Sequence, residues 1–173
     1  MKVILIGQMG AGKSTTAALL AERMGIAAID LDRAIEDATG ESVAALFARG
    51  EPEFRVVEAR VLAAVLAQDS DCVLATGGGA PCQPGALAKM RAAGVVVWLA
   101  AAPAVLAARA LGGGRPLLAG MDVASAERFL ETQLEVRRPF YAAADLIVDA
   151  APAADEVASA IDRALSALVD SRR

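Results

Sequence analysis

Val3-Ile4-Leu5-Ile6-Gly7-Gln8-Met9-Gly10-Ala11-Gly12-Lys13-Ser14 is the stretch on which the reading of this chain turns. Its first four residues are apolar and mostly β-branched, the signature of a short buried strand. Gly7 to Ser14 fit the spacing of a Walker A motif, and Lys13 to Met24 read as a helix. Strand, glycine loop and helix come in the order that phosphate binding requires. Glycines let the backbone curl so that successive N–H groups face a phosphate chain, and the helix N-terminus adds positive potential. Lys13 is placed to neutralise terminal phosphate charge, and the Ser14 hydroxyl to hold Mg²⁺. Nucleotide binding through Gly10, Ala11, Gly12, Lys13, Ser14 and Thr15 is therefore expected.

Outward from this motif, short apolar runs alternate with helical segments. Ala27 to Ile29, Cys72 to Leu74, Val95 to Leu99 and Leu146 to Val148 read as strands. Arg33 to Ala38, Pro84 to Ala93, Ala102 to Ala110, Val123 to Val136 and Ala154 to Leu168 read as helices, and Val43 to Phe47 with Phe54 to Ala67 as a helical insertion. Continuous apolar strands joined by crossover helices imply a three-layer α/β fold with a mostly parallel sheet. Ligands then belong at the carboxyl ends of the strands. Leu111 to Pro116, rich in glycine, reads as a mobile lid.

Composition narrows the chemistry. With 173 residues the chain has room for one domain, and 56% hydrophobic against 22% charged residues suffices for a core. A net charge of −4 argues against nucleic-acid binding. No histidine is present, which excludes His-dependent triads and His-ligated metals, and two cysteines are too few for a disulfide framework. Cys72 and Cys82 read as inert small residues, and Trp98, Met9 and Met24 as packing residues. The apolar start leads into glycines rather than a cleavage site, and the uncharged stretch Ala92 to Ala108 is broken by Gly94 and Pro103. A cytoplasmic, monomeric protein without a membrane or nucleic-acid partner is expected.

The strand Cys72 to Leu74 lacks the aspartate that anchors magnesium in many nucleotide-binding proteins; Asp71 lies at its wrong end. Ala27 to Ile29 leads instead into Asp30-Leu31-Asp32. As alternate residues near a strand end the two carboxylates can diverge, one to the metal and one to an acceptor hydroxyl. The other reading of Asp32 is a cap for the helix beginning near Arg33.

Taken together, Gly7 to Ser14, Asp30 to Asp32, Phe54-Arg55 with Glu58, Gly77-Gly78-Gly79, Arg115-Pro116-Leu117-Leu118 and Arg137-Arg138-Pro139-Phe140-Tyr141 resemble shikimate kinase over almost the whole chain. The resemblance implies a nucleoside-monophosphate-kinase-like P-loop fold with a five-stranded parallel sheet. It implies one domain over residues 1–173, with a substrate-binding insertion at about 31–61 and a short lid at about 110–122. The implied reaction transfers the γ-phosphate of ATP, with Mg²⁺, to the 3-hydroxyl of shikimate, giving shikimate 3-phosphate and ADP on the route to chorismate and the aromatic amino acids. By the same resemblance Arg55 and Arg137 hold the shikimate carboxylate. Asp32 with Gly77, Gly78 and Gly79 holds the ring, and Asp30 joins Ser14 at the metal. Lys13 and Arg115 stabilise the transferring group, Asp32 orients the attacking hydroxyl, and Arg109 and Pro152 flank the adenine. Glu58, one turn beyond Arg55, steadies that guanidinium. Ala110 to Gly114 contain neither Lys nor Arg, so the lid is less basic than is usual in the family. Rival readings are a gluconate or nucleoside-monophosphate kinase of the same fold, or a nucleotide-binding regulator without catalysis.

Overall fold

A computed structural model describes residues 1–112 and 116–170. Five strands, β1 (Lys2–Ile6), β2 (Ala27–Asp30), β3 (Cys72–Ala75), β4 (Gly94–Ala100) and β5 (Leu146–Asp149), form one sheet in the order β2-β3-β1-β4-β5. Every pairing is parallel. Helices α1 (Lys13–Met24), α2 (Leu31–Thr39), α3 (Val43–Arg49), α4 (Glu51–Leu66), α5 (Ala86–Ala93), α6 (Pro103–Gly112), α7 (Val123–Tyr141) and α8 (Ala154–Asp170) cover its faces.

The sheet separates two cores because side chains alternate along each strand. Val3 and Leu5 of β1, with Val97 and Leu99 of β4, pack against Leu20 of α1, Leu106 of α6 and Ile161 of α8. Ile4 and Ile6, with Val96 and Trp98, pack on the other face against Ile35 of α2, Phe54 of α4 and Met90 of α5. With both faces covered, the central strands are apolar at every position after Lys2, and β1 is buried along its whole length.

Helix α7 belongs to both layers. Ala126 and Leu130 pack in the first core, while Leu134 and Tyr141 pack in the second. The sequence reading ended this helix at Val136, yet it continues through Pro139 to Tyr141. A proline so near the end forfeits one ladder bond, to the carbonyl of Glu135, and the complete burial of Tyr141 offsets that loss. The extra turn puts Arg137 and Tyr141 one above the other on one helix face.

Smaller corrections have local causes. Helix α2 begins at Leu31, not Arg33, and its cap is Asp30, whose Oδ1 accepts from the amides of Asp32 and Arg33. Asp32 is thus neither the cap nor a strand-end residue; it lies in the first turn, where a carboxylate favours the helix dipole. Helix α4 starts three residues before Phe54, because Pro52 fits a first helical turn. Helix α6 reaches Gly112, so the expected lid begins as helix, and Pro116–Leu118 form a 3-10 turn.

Candidate active site

The loop after β1 is shaped by its glycines. Gly10 has φ 82°, and a Cβ there would run into the Leu106 carbonyl of α6. A side chain at this position meets both left-handed strain and a backbone that cannot yield. Gly12, also left-handed, precedes α1 without any side-chain cap. The first amides of α1 thus receive no side chain from the cap residue, the arrangement that suits an anionic ligand. Lys13 Nζ lies back over the loop, donating to the carbonyls of Gly7 and Gln8 at 2.9 Å each.

Beside this loop, Ser14 Oγ donates to Asp30 Oδ2. Asp30 therefore caps α2 with one oxygen and meets the loop hydroxyl with the other. One carboxylate and one hydroxyl next to a phosphate-binding loop fit Mg²⁺, which keeps several waters and binds through few protein oxygens plus substrate phosphates. Among the described residues no cluster of three or more acidic, Cys or His side chains offers a self-sufficient metal cage.

A cavity of about 610 Å³ opens next to the loop, within the usual range for small-molecule sites. Asp32, Arg55, Gly77, Gly78, Gly79 and Arg137 all line it, together with Met9, Glu58, Phe47, Phe54 and Leu117. Residues from α2, α4, the loop after β3 and α7 are thereby gathered at the carboxyl ends of β1, β2 and β3.

The two arginines are held in different ways. Arg55 donates to Glu58 at 2.7 Å and to Glu51 at 2.8 Å, and its guanidinium lies 5.2 Å from the Phe54 ring centroid and 5.7 Å from that of Phe47. Those rings stack on each other at 4.0 Å, so Arg55 rests on an aromatic platform. Burial opposes its charge, but Glu58 and Glu51 outweigh this and hold its pKa above the ordinary value. A Cβ on Gly79 would fall on the same guanidinium, which explains a glycine at a φ of −89° that any residue adopts. Arg137, by contrast, makes no ion pair among the described residues; its Nη1 donates to Gln8 Oε1 at 3.1 Å. Tyr141 Oη donates to the Gly78 carbonyl at 2.7 Å, and a Cβ at Gly78 would come within 3.0 Å of Arg137 Nη1. Burial keeps the Tyr141 phenol well above its usual pKa, so it remains a donor.

Glu58 carries the strain of this arrangement. Burial pushes its carboxyl pKa up, the Arg55 partner pulls it down, and Asp32 and Glu51 push it up further. Its Oε1 is buried without a hydrogen-bond partner among the described residues, close beside Gly77. A folded pKa above the unfolded one means that the folded chain holds this proton more tightly. That contribution to stability is complete below the unfolded carboxylate pKa and is lost as pH rises through the folded value. Glu58→Gln mimics the protonated form and removes the loss. Urea unfolding from about pH 4 to 8 is expected to show the variant gaining stability relative to the parent as pH rises. A difference that stays flat or falls with pH contradicts this account.

Arg109 donates to the carbonyls of Ala150, Ala151 and Pro152, so the two residues expected beside the adenine do meet. Arg115 lies outside the described residues. Arg138 is exposed, while Arg137 lines the cavity. Trp98 is 9% exposed and tilts against Tyr141 at 5.7 Å, in keeping with a core role. Met9 packs against the first core as expected, and it also reaches the cavity. Both thiols are pushed up chiefly by burial. Sequence reasoning missed Gln8, hidden in a variable position of the loop motif, and the aromatic platform under Arg55, whose only sign was the pair Phe47 and Phe54 on either side of the glycine between α3 and α4.

A five-stranded parallel sheet of this order, with a phosphate loop after β1, is the architecture of P-loop kinases. The chain belongs to the shikimate kinase family, whose model matches residues 9–166. It is 45% identical over 148 residues to a shikimate kinase of Symbiobacterium thermophilum, covering 83% of each chain. A solved shikimate kinase from Bacteroides thetaiotaomicron superposes with a TM-score of 0.91 at 33% identity, covering 96% of this chain and 98% of that one. The shikimate kinase of Acinetobacter baumannii, solved in complex with shikimate, gives 0.88 at 32% identity over 96% and 93% of the two chains. Among the described residues no helix is long and apolar enough to cross a membrane.

Proposed function

We propose that this chain is an ATP- and Mg²⁺-dependent shikimate kinase, a phosphotransferase that forms shikimate 3-phosphate and ADP for aromatic amino-acid biosynthesis. The observation that carries the reading is one cavity, beside the phosphate loop, whose lining brings Asp32, Arg55 and Arg137 together from three separate helices. A small ring acid with vicinal hydroxyls needs that combination: cations for its carboxylate and an acceptor for its hydroxyls.

In this reading Arg137 and Arg55 take the carboxylate, and the amides of Gly78 and Gly79 border the ring. Helices α2 to α4 form the acceptor-binding insertion, and residues 110–122, with Arg115, the lid. Asp32 orients the 3-hydroxyl towards the γ-phosphorus and accepts its proton as the new O–P bond forms. The bond from phosphorus to the β,γ-bridging oxygen breaks, and ADP carries away that electron pair. Lys13 and Arg115 stabilise charge on the transferring oxygens. Amides of residues 10–15 cradle the phosphates, and Arg109 with Pro152 borders the adenine. Ser14 and Asp30 would hold Mg²⁺, which would supply neutralisation of phosphate charge. Positioning and charge matter more here than a strong base. A monomer suffices, because every group in this scheme comes from one chain, and the ATP requirement fits a cytoplasmic enzyme.

A coupled ADP-release assay offering shikimate, gluconate and AMP side by side tests the acceptor. Mg²⁺-dependent turnover with shikimate is expected; turnover only with another acceptor, or none, overturns the proposal.

A further inference from the structure

Gln8 is 1% exposed, and both ends of its amide are used. Nε2 donates to the Leu130 carbonyl of α7 at 3.1 Å, and Oε1 accepts from Arg137 Nη1 at 3.1 Å. Its main-chain carbonyl accepts from Lys13 Nζ at 2.9 Å. One residue of the phosphate loop thus contacts the loop cation through its backbone and the cavity cation, 129 positions away, through its side chain.

The chemistry of the contact is informative. Leu130 lies mid-helix, where the ladder already supplies a donor to its carbonyl, so the Nε2 bond is not needed to satisfy a buried group. What that bond does is fix which way the amide points. With Nε2 committed to Leu130, the carbonyl oxygen is left for Arg137. A neutral acceptor orients a guanidinium without cancelling its charge, whereas the carboxylates on Arg55 orient and neutralise together. Tyr141 Oη, whose proton goes to the Gly78 carbonyl, faces Arg137 as a second neutral oxygen, and Gln8 is the partner that ties the guanidinium to the phosphate loop.

We infer that Gln8 is a positioning residue that acts through Arg137, aiming an uncompensated guanidinium at the acceptor carboxylate and tying that clamp to the phosphate loop. The inference rests on the reading of Arg137 as a carboxylate clamp. It is tested by a double-mutant cycle on the full chain, with shikimate KM, ATP KM and kcat measured for the parent, Gln8→Leu, Arg137→Ala and the double variant. Gln8→Leu is expected to raise shikimate KM about tenfold, the factor given by one lost hydrogen bond to a charged group. Its ATP KM should move far less. In the Arg137→Ala background the same substitution should leave shikimate KM within about twofold, because its target is gone.

If Gln8→Leu raises shikimate KM equally in both backgrounds, or not at all, Gln8 does not act through Arg137 and the inference fails. If Arg137→Ala itself leaves shikimate KM unchanged, the clamp reading fails first. Gln8→Met, similar in length and without either polar atom, takes the same place in the cycle should Gln8→Leu not fold.

Discussion

Lys13→Ala is expected to lower kcat about a thousandfold while shikimate KM moves less than about threefold. The ammonium sits over the phosphate loop on the carbonyls of Gly7 and Gln8, outside the lining of the acceptor cavity. Charge on the non-bridging and leaving oxygens changes during transfer, and a cation already held in place over the loop meets that change with less solvent reorganisation. Removing it therefore costs more in the transition state than in the ground state. Steady-state kinetics with both substrates varied provides the check. A rise in ATP KM with kcat intact would mean that Lys13 only binds nucleotide, and its catalytic assignment would be withdrawn.

Arg137→Ala is expected to raise shikimate KM about a hundredfold, with ATP KM and thermal stability close to those of the parent. Its guanidinium has a neutral partner in Gln8, so its full charge is available to an incoming carboxylate. Arg55 is different, since Glu51 and Glu58 already compensate it. Arg55→Ala should weaken shikimate binding less, by about tenfold, but should also lower the unfolding temperature. It strands Glu58, whose side chain is 2% exposed, beside Asp32 without its cation. Kinetics and thermal melts on the two variants separate these effects. Equal KM changes with equal stability loss would show that charge compensation is not what distinguishes the arginines.

Much of this enzyme was readable before any coordinates, for a local reason. The loop from Gly7 to Ser14 owes its shape to φ angles and amide directions within eight consecutive residues, so spacing alone announces it. Strands β1, β3 and β4 are buried on both faces and advertise themselves as apolar runs. Boundaries were less legible. Whether Asp30 or Asp32 caps α2 depends on a one-residue choice, and whether α7 survives Pro139 depends on what Tyr141 packs against. Neither answer lies in a local pattern.

The acceptor cavity shows the same division. That Asp32, Arg55, the glycine triplet and Arg137 belong together was suggested by resemblance, and they do line one cavity, but the unlike electrostatic settings of the two arginines were not legible. Residue types, order and spacing settled the phosphate loop, the alternation of strand and helix, and the family, because each depends on neighbours a few positions apart. Only tertiary packing decided that, among the described residues, Arg55 has carboxylate partners and Arg137 has none, and that Gln8 reaches across the molecule to aim the latter. Those outcomes follow from the crossing of α7 from one face of the sheet to the other, which brings together side chains that no sequence interval connects.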